Sequence, residues 1–126
     1  FDIIVPSIKA TDNVSSRNLV KVVFSKNGKI LYFSRSKVPF DYKDINPNYF
    51  RDLSIVSFKF SALKKYSNLK EGKIEKIEGI ELIRALENNI NLGTFVVNNS
   101  SFAVDVNQDL MKAIDQMPSD RIRKLY

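Results

Sequence analysis

The feature that most constrains this chain is a pair of alternating segments joined by Asn27-Gly28. Residues 19–25 (LVKVVFS) are rich in β-branched residues and carry apolar side chains at alternate positions. Residues 29–36 (KILYFSRS) alternate in the same way. Because Asn-Gly supplies the positive φ angles of a type I′ turn, the pattern predicts a two-stranded β-hairpin.

Further along the chain, two amphipathic segments predict helices. Residues 78–90 (EGIELIRALENNI) place their apolar side chains on one helical side. Residues 105–117 do the same, with Asp105 as a plausible N-cap and Pro118 as the stop. Residues 94–98 (TFVVN) lie between the two helices and predict a short buried strand.

The remaining segments are less regular. Residues 1–18 are largely polar after the first few positions and predict a flexible linker. Residues 38–77 predict an insertion of undefined structure, within which 53–60 (LSIVSFKF) fits either a strand or a helical stripe. Residues 122–126 predict a final strand.

Together these elements predict a single α+β domain over residues 19–126, in the order β-β-(insertion)-α-β-α-β. Its expected architecture is a two-layer α/β arrangement. A small mixed sheet of about four strands carries two helices packed on one of its faces.

The composition argues against catalysis. The 126 residues include no Cys and no His, which excludes thiol nucleophiles, His-dependent triads and zinc ribbons. The 4 Gly residues are scattered, so no glycine-rich phosphate loop is present in the sequence. Asp41 and Asp44 could share a metal, but their neighbours Pro39 and Pro47 are typical of a polar loop. We therefore expect no enzyme activity, no catalytic residue, no cofactor and no metal site.

The charge leaves one alternative function open. The chain carries 20 Lys and Arg against 14 Asp and Glu, and these charges are interspersed as on an ordinary solvated surface. Aromatic residues nevertheless alternate with cations at Phe33 and Arg35, and at Phe58, Lys59 and Phe60. Such an arrangement can stack bases and hold phosphates, so a basic nucleic-acid-binding domain is the alternative.

The C-terminal segment resembles the ExbD/TolR family of proton-driven energy-coupling proteins. The resemblance is carried by residues 93–126 (GTFVVNNSSFAVDVNQDLMKAIDQMPSDRIRKLY), which contain a short apolar strand, a polar turn and a helix. The hairpin at Asn27-Gly28 and the helix ending at Leu86 lie where the family has its own. The long insertion looks like that of members from Bacteroidetes-type bacteria.

The resemblance implies a periplasmic domain of a stator component in a proton-motive-force-driven transport complex. Residue Phe1 would then follow a membrane helix that tethers the domain to the inner membrane. The domain would form a homodimer and engage a TonB-like partner, with the cell wall as another possible contact. An ExbB/TolQ-like membrane channel would be a partner of the full-length protein.

Two groups of residues are the candidate partner-binding sites in this interpretation. The apolar residues Ile3, Ile4 and Val5 could add as a strand to a dimer or partner edge. Three cations border the predicted last strand and could bind an acidic partner or polymer, namely Arg121, Arg123 and Lys124.

Overall fold

The structure is a computed structural model, and it describes residues 1–11, 14–98, 104, 106–120 and 123–125. The strands in this part of the chain are β1 (Ile3–Ile4), β2 (Ser7–Lys9), β3 (Lys21–Phe24), β4 (Ile30–Ser34), β5 (Phe50–Asp52), β6 (Ser57–Phe58) and β7 (Leu92–Gly93). The helices are α1 (Phe60–Ser67), α2 (Lys73–Glu78), α3 (Ile83–Glu87) and α4 (Asn107–Gln116). Short 3-10 turns cover Met117–Ser119 and Arg123–Leu125.

The strands form two sheets. One has three strands in the order β6-β1-β7, in which β1 is antiparallel to β6 and parallel to β7. The other has four strands in the order β2-β5-β3-β4, all antiparallel to their neighbours. The predicted mixed α/β class is therefore confirmed. The single sheet with two helices is wrong, because the insertion contributes its own strands and helices.

The predicted hairpin forms, with a different turn. Strands β3 and β4 pair Val22 with Phe33 and Val23 with Tyr32. The Gly28 N–H donates to the Ser25 carbonyl at 2.9 Å, and only Gly28 of the turn has a positive φ, at 81°. This geometry is a type I turn followed by a left-handed glycine rather than the predicted type I′ turn. Glycine is required at this position because a Cβ there would lie 2.6 Å from the Thr94 carbonyl oxygen.

The first nine residues differ most from the sequence-based expectation of a linker. Ile3 and Ile4 form β1, and residues 7–9 form β2. Ile3 and Val5 are fully buried in a core that joins strands to α3. These side chains reach the core because their partners come from residues 57–58 and 92–93, far along the sequence. A polar composition after Pro6 gave no local sign of that pairing.

The predicted insertion at 38–77 is ordered in the structure. It supplies β5, β6, α1 and most of α2. The ambiguous segment 53–60 contains the short strand β6, and α1 begins at Phe60. Residues of this region complete both sheets, which is why neither sheet could be assembled from the more regular segments alone.

The helix predicted over 78–90 is shorter in the structure, where it contains only the last residue of α2 and the five residues of α3. Gly79 ends α2 in the left-handed conformation, with φ at 63°, and α3 begins at Ile83. A paired carboxylate and guanidinium connect the two helices. The Arg84 Nε donates to Glu75 Oε2 at 2.8 Å, and Arg84 Nη2 lies 2.5 Å from Glu75 Oε1. Because this hydrogen bond favours the ionised carboxylate, it lowers the pKa of Glu75 despite the burial of that side chain.

The C-terminal region agrees with the prediction in its helix and differs elsewhere. Helix α4 covers most of the predicted span, and the Val106 N–H donates to Asp109 Oδ2 at 3.2 Å at its start. The predicted N-cap Asp105 lies outside the described residues. None of the residues of α4 is buried. The strand predicted over 94–98 is reduced to an isolated bridge between Val96 and Ser7, and β7 lies just before it.

Candidate functional site

A basic pocket opens where β4 ends against α2. Its volume is about 510 Å³, and it is lined by Ser15, Arg17, Arg35, Ser36, Lys37, Ile77 and Glu78. Three of these side chains are cations and one is a carboxylate. The lining therefore favours an anion, and the hydroxyl groups of the two serines can donate or accept further hydrogen bonds.

The Arg35 guanidinium is anchored by backbone carbonyls on two sides of the pocket. Its Nε donates to the Glu78 carbonyl at 3.0 Å and its Nη2 to the Gly79 carbonyl at 3.1 Å. On the other side, Nη1 donates to the Arg17 carbonyl at 2.8 Å. These bonds hold the planar guanidinium in one orientation between the C-terminal end of α2 and the segment before β3.

The Glu78 carboxylate, like the Arg35 guanidinium, is held by several hydrogen bonds. Its Oε1 accepts hydrogen bonds from Ser34 Oγ at 2.9 Å and from Tyr32 Oη at 3.2 Å. Its Oε2 accepts from the Arg35 backbone N–H at 3.0 Å. Burial raises the pKa of Tyr32, and the nearby negative charge of Glu78 adds to the shift. The acid therefore fixes the end of β4 to the last turn of α2.

The third cation, Lys37, lies beyond Arg35 on the same edge. Its Nζ is 5.1 Å from the ring centroid of Tyr49, a buried residue that precedes β5. A cation over an aromatic face is weakly attracted to it, which limits where the ammonium group lies. Arg17, Arg35 and Lys37 thus surround a space in which a carboxylate or phosphate would meet several positive groups.

Among the described residues, no group of three or more acidic side chains is placed to hold a metal ion. The Asp41 carboxylate is occupied locally instead. Its oxygens accept hydrogen bonds from the backbone N–H groups of Ile45 at 3.0 Å and Asn46 at 2.8 Å. This pairing within the loop agrees with the polar-loop interpretation of Asp41 and Asp44.

The predicted partner-binding residues do not meet at this pocket. Ile3 and Ile4 lie in the central strand of the three-stranded sheet, where β6 and β7 already occupy both of its edges. Val5 is fully buried. Arg121 lies outside the described residues, while Arg123 and Lys124 belong to a short 3-10 turn rather than to the predicted final strand.

The aromatic residues that suggested nucleic-acid binding do not lie on an exposed sheet face as that interpretation requires. Phe33 is fully buried in the core and cannot stack on a base. Phe58 packs against Tyr66 with ring centroids 5.5 Å apart. Phe60 is exposed, but it begins α1 and does not lie on a sheet. These rings therefore do not form the exposed sheet face that stacks bases, and the geometry does not support the nucleic-acid-binding interpretation.

The sequence did contain one sign of the pocket. Arg35 lies near the end of the predicted strand over 29–36 and Lys37 directly follows it, where the chain passes into a loop, and binding residues are frequent in loops. Residues 15–17 and 77–78, which complete the lining, are far away in the sequence. The spacing of residues along the sequence does not predict that these segments lie close to Arg35.

Comparison with known proteins defines the class of this fold. The cytidylyltransferase family model matches residues 1–95. The chain belongs to the cytidylyltransferase family. Its relatives include a 3-deoxy-manno-octulosonate cytidylyltransferase of Rickettsia canadensis (strain McKiel), 39% identical over 115 residues that make up 90% of this chain and 46% of the relative.

Two further proteins show a similar relationship to this chain. The 3-deoxy-manno-octulosonate cytidylyltransferase of Thermodesulfovibrio yellowstonii (strain ATCC 51303 / DSM 11347 / YP87) is 38% identical over 82% of this chain and 43% of its own length. The structure of CMP:2-keto-3-deoxy-manno-octonic acid synthetase complexed with CTP superposes with a TM-score of 0.86 at 27% identity. That match covers 94% of this chain and 50% of the synthetase chain. The chain thus spans about half the length of the proteins it matches.

These findings overturn the functional part of the sequence analysis. The resemblance to ExbD/TolR is wrong, because the family match covers most of the chain and the structure agrees with it. The stator role and the TonB-like and ExbB/TolQ-like partners were implied by that resemblance and are corrected with it. The periplasmic location, the membrane tether and the homodimer lose the resemblance that implied them. The expectation of no enzyme is also wrong, since the relatives are enzymes by name. In the described part of the chain, none of the helices combines the length and apolar character needed to cross a membrane.

Proposed function

We propose that this chain forms part of an enzyme that transfers a cytidylyl group from CTP to 3-deoxy-manno-octulosonate. The observation that carries the proposal is the extent of the similarity to enzymes named for this reaction. Identity of 39% extends over 90% of the chain. The family match over residues 1–95 includes the segments that line the basic pocket. The structure of the synthetase with a similar fold is of a complex with CTP, which supports the nucleotide as the second substrate.

The reaction joins two anions. A hydroxyl oxygen of the sugar acid attacks the α-phosphorus of CTP, and the bond from that phosphorus to the β-phosphate oxygen breaks. Pyrophosphate leaves, and the hydroxyl proton passes to solvent or a base. Because both substrates are negatively charged, an enzyme of this kind needs cations that hold them together.

The basic pocket has the chemistry to bind the sugar acid. A carboxylate forms its strongest hydrogen bonds with guanidinium and ammonium groups, and Arg17, Arg35 and Lys37 supply these around one space. The hydroxyl groups of Ser15 and Ser36 suit the sugar hydroxyls. In this proposal the pocket binds and orients the sugar acid, and no catalytic role is assigned to its residues.

The direct test is CTP-dependent release of pyrophosphate, in the presence of 3-deoxy-manno-octulosonate, by the purified full-length protein that contains this chain. We expect release above the level with CTP alone, together with a product whose mass equals CMP joined to the sugar acid. Calorimetric titration with the sugar acid measures binding separately. Neither pyrophosphate release nor sugar-acid binding, with the Rickettsia canadensis enzyme active in the same assay, would overturn the proposal.

The role of the pocket is tested by Lys37→Gln. This change removes one positive charge from the lining, so the KM for the sugar acid should rise about tenfold, the loss of one charge-assisted hydrogen bond. Lys26→Gln removes the same charge from an exposed position in the hairpin turn and serves as the matched control. An equal KM in the two variants would place the sugar acid elsewhere.

A further inference from the structure

A fully buried lysine lies at the start of β3. The Lys21 side chain has no exposure to solvent, and its backbone is paired with Ser34 in β4 and Arg51 in β5. Burying an ammonium group is costly unless its donors are satisfied. The sequence gives no sign of this burial, because Lys21 interrupts a run of apolar residues as an ordinary strand lysine would.

The ammonium group of Lys21 is satisfied by three backbone carbonyls. Its Nζ donates to Leu19 O at 2.7 Å, to Ser16 O at 2.8 Å and to Arg35 O. A lysine has three N–H donors, so these bonds use its full capacity. Burial lowers the pKa of Lys21, and the positive charge of Arg35 lowers it further, while Glu78 opposes the shift.

The three carbonyls belong to the two segments that carry pocket cations. Ser16 and Leu19 flank Arg17 in a turn closed by a 3.3 Å hydrogen bond from Leu19 N to Ser16 O. The third carbonyl is that of Arg35 itself. Arg35 in turn donates from Nη1 to the Arg17 carbonyl. Lys21 and Arg35 therefore both donate hydrogen bonds to carbonyls of one short turn, and together they connect it to the end of β4.

We infer that Lys21 is a positioning residue of the sugar-acid site: its ammonium group fixes the 16–19 turn to the carbonyl of Arg35 and thereby sets the separation of Arg17 and Arg35. This inference rests on the proposed function, because it assigns those two cations to the sugar acid. Lys21 itself does not line the pocket and contacts no substrate in this arrangement.

The experiment compares Lys21→Met and Lys21→Arg with Lys26→Met, a change of an exposed lysine in the same hairpin. Methionine fills a similar volume without donors. Arginine keeps the charge but its planar fork does not match the three carbonyls. We expect Lys21→Met to raise the KM for 3-deoxy-manno-octulosonate about tenfold, with the KM for CTP within about twofold, because small displacements of binding groups have effects of this order. Lys21→Arg should give a smaller rise, and Lys26→Met none.

A purely structural role would give a different result. It would lower the folded fraction and hence kcat per total protein, while leaving both KM values unchanged. An unchanged sugar-acid KM in folded Lys21→Met would overturn the inference. If Lys21→Met does not fold, Lys21→Arg decides in the same way: a selective rise supports the inference and an unchanged KM overturns it.

Amide hydrogen exchange separates this inference from the proposed function. If the unaltered protein neither releases pyrophosphate nor binds the sugar acid, the proposed function fails. The positioning role is then decided by exchange at residues 16–19 in the folded variant. Faster exchange than in the unaltered protein supports a turn held by Lys21, and equal exchange overturns it.

Discussion

A hydrogen bond between two buried hydroxyl groups connects the two sheets, and its removal tests how much this bond contributes to the stability of the protein. Ser7 in β2 belongs to the four-stranded sheet, while Thr94 directly follows β7 of the three-stranded sheet. Their hydroxyl oxygens are 2.6 Å apart, and both side chains are buried. Thr94 Oγ1 also lies 3.5 Å from the Phe95 carbonyl, so it can donate there while accepting from Ser7.

The expected cost follows from what each substitution leaves unpaired. Thr94→Val keeps the shape of the side chain but leaves the Ser7 hydroxyl buried without this partner, which should cost about 1–3 kcal/mol. Ser7→Ala also breaks the bond and should cost about 1 kcal/mol. Once both hydroxyls are absent no unpaired group remains. The double variant should therefore be no less stable than Thr94→Val, with a coupling energy of about 1–2 kcal/mol.

The measurement is urea denaturation of the unaltered protein, the two single variants and the double variant, followed by circular dichroism. Ser61→Ala, at an exposed position of α1, is the control and should change stability by less than about 0.5 kcal/mol. A coupling energy below about 0.5 kcal/mol is typical of independent sites. That result would refute the argument that this bond contributes to the contact between the sheets.

Two further predictions concern α2. Gly79→Ala should destabilise the protein by about 1 kcal/mol, because alanine disfavours the φ of 63° at this helix end. Gly79→Asn, which tolerates that conformation better, should cost less, and equal midpoints in urea for the two variants would contradict the reasoning. For Glu75, the folded pKa lies below the ordinary 4.5, so its contribution is present above that pH and is lost as the pH falls through the folded pKa. Glu75→Gln should therefore lose less stability on acidification than the unaltered protein, and parallel curves in acid denaturation would argue against the Arg84 pairing.

Short-range patterns in the sequence account for part of this fold. The β3–β4 hairpin and α4 were predicted because the alternation of strands and the periodicity of helices are local properties. The turn type differed, since the left-handed geometry falls on Gly28 alone. The helix predicted over 78–90 is longer than α3, because the apolar spacing runs from Ile80 to Ile90 and so extends beyond Ile83–Glu87 at both ends.

The cytidylyltransferase family and the pocket were missed for a physical reason that concerns the pocket itself. The pocket is built from residues 15–17, 35–37 and 77–78, and no one of these segments contains a recognisable motif. Absence of Cys and His excludes thiol and imidazole nucleophiles, but the proposed transfer of a nucleotidyl group requires neither of them. The resemblance to ExbD/TolR depended on the order of elements near the C-terminus, which many α/β proteins share.

The sequence by itself determined the mixed α/β class, the hairpin and the amphipathic α4, because the forces behind them act between residues a few positions apart. The tertiary structure decided the rest. It buried Ile3 and Val5, divided the strands into two sheets and directed Lys21 onto three carbonyls. Each of these features depends on residues that are distant in the sequence and are brought together by the packing of the whole domain. Such contacts produce no periodic pattern in the sequence.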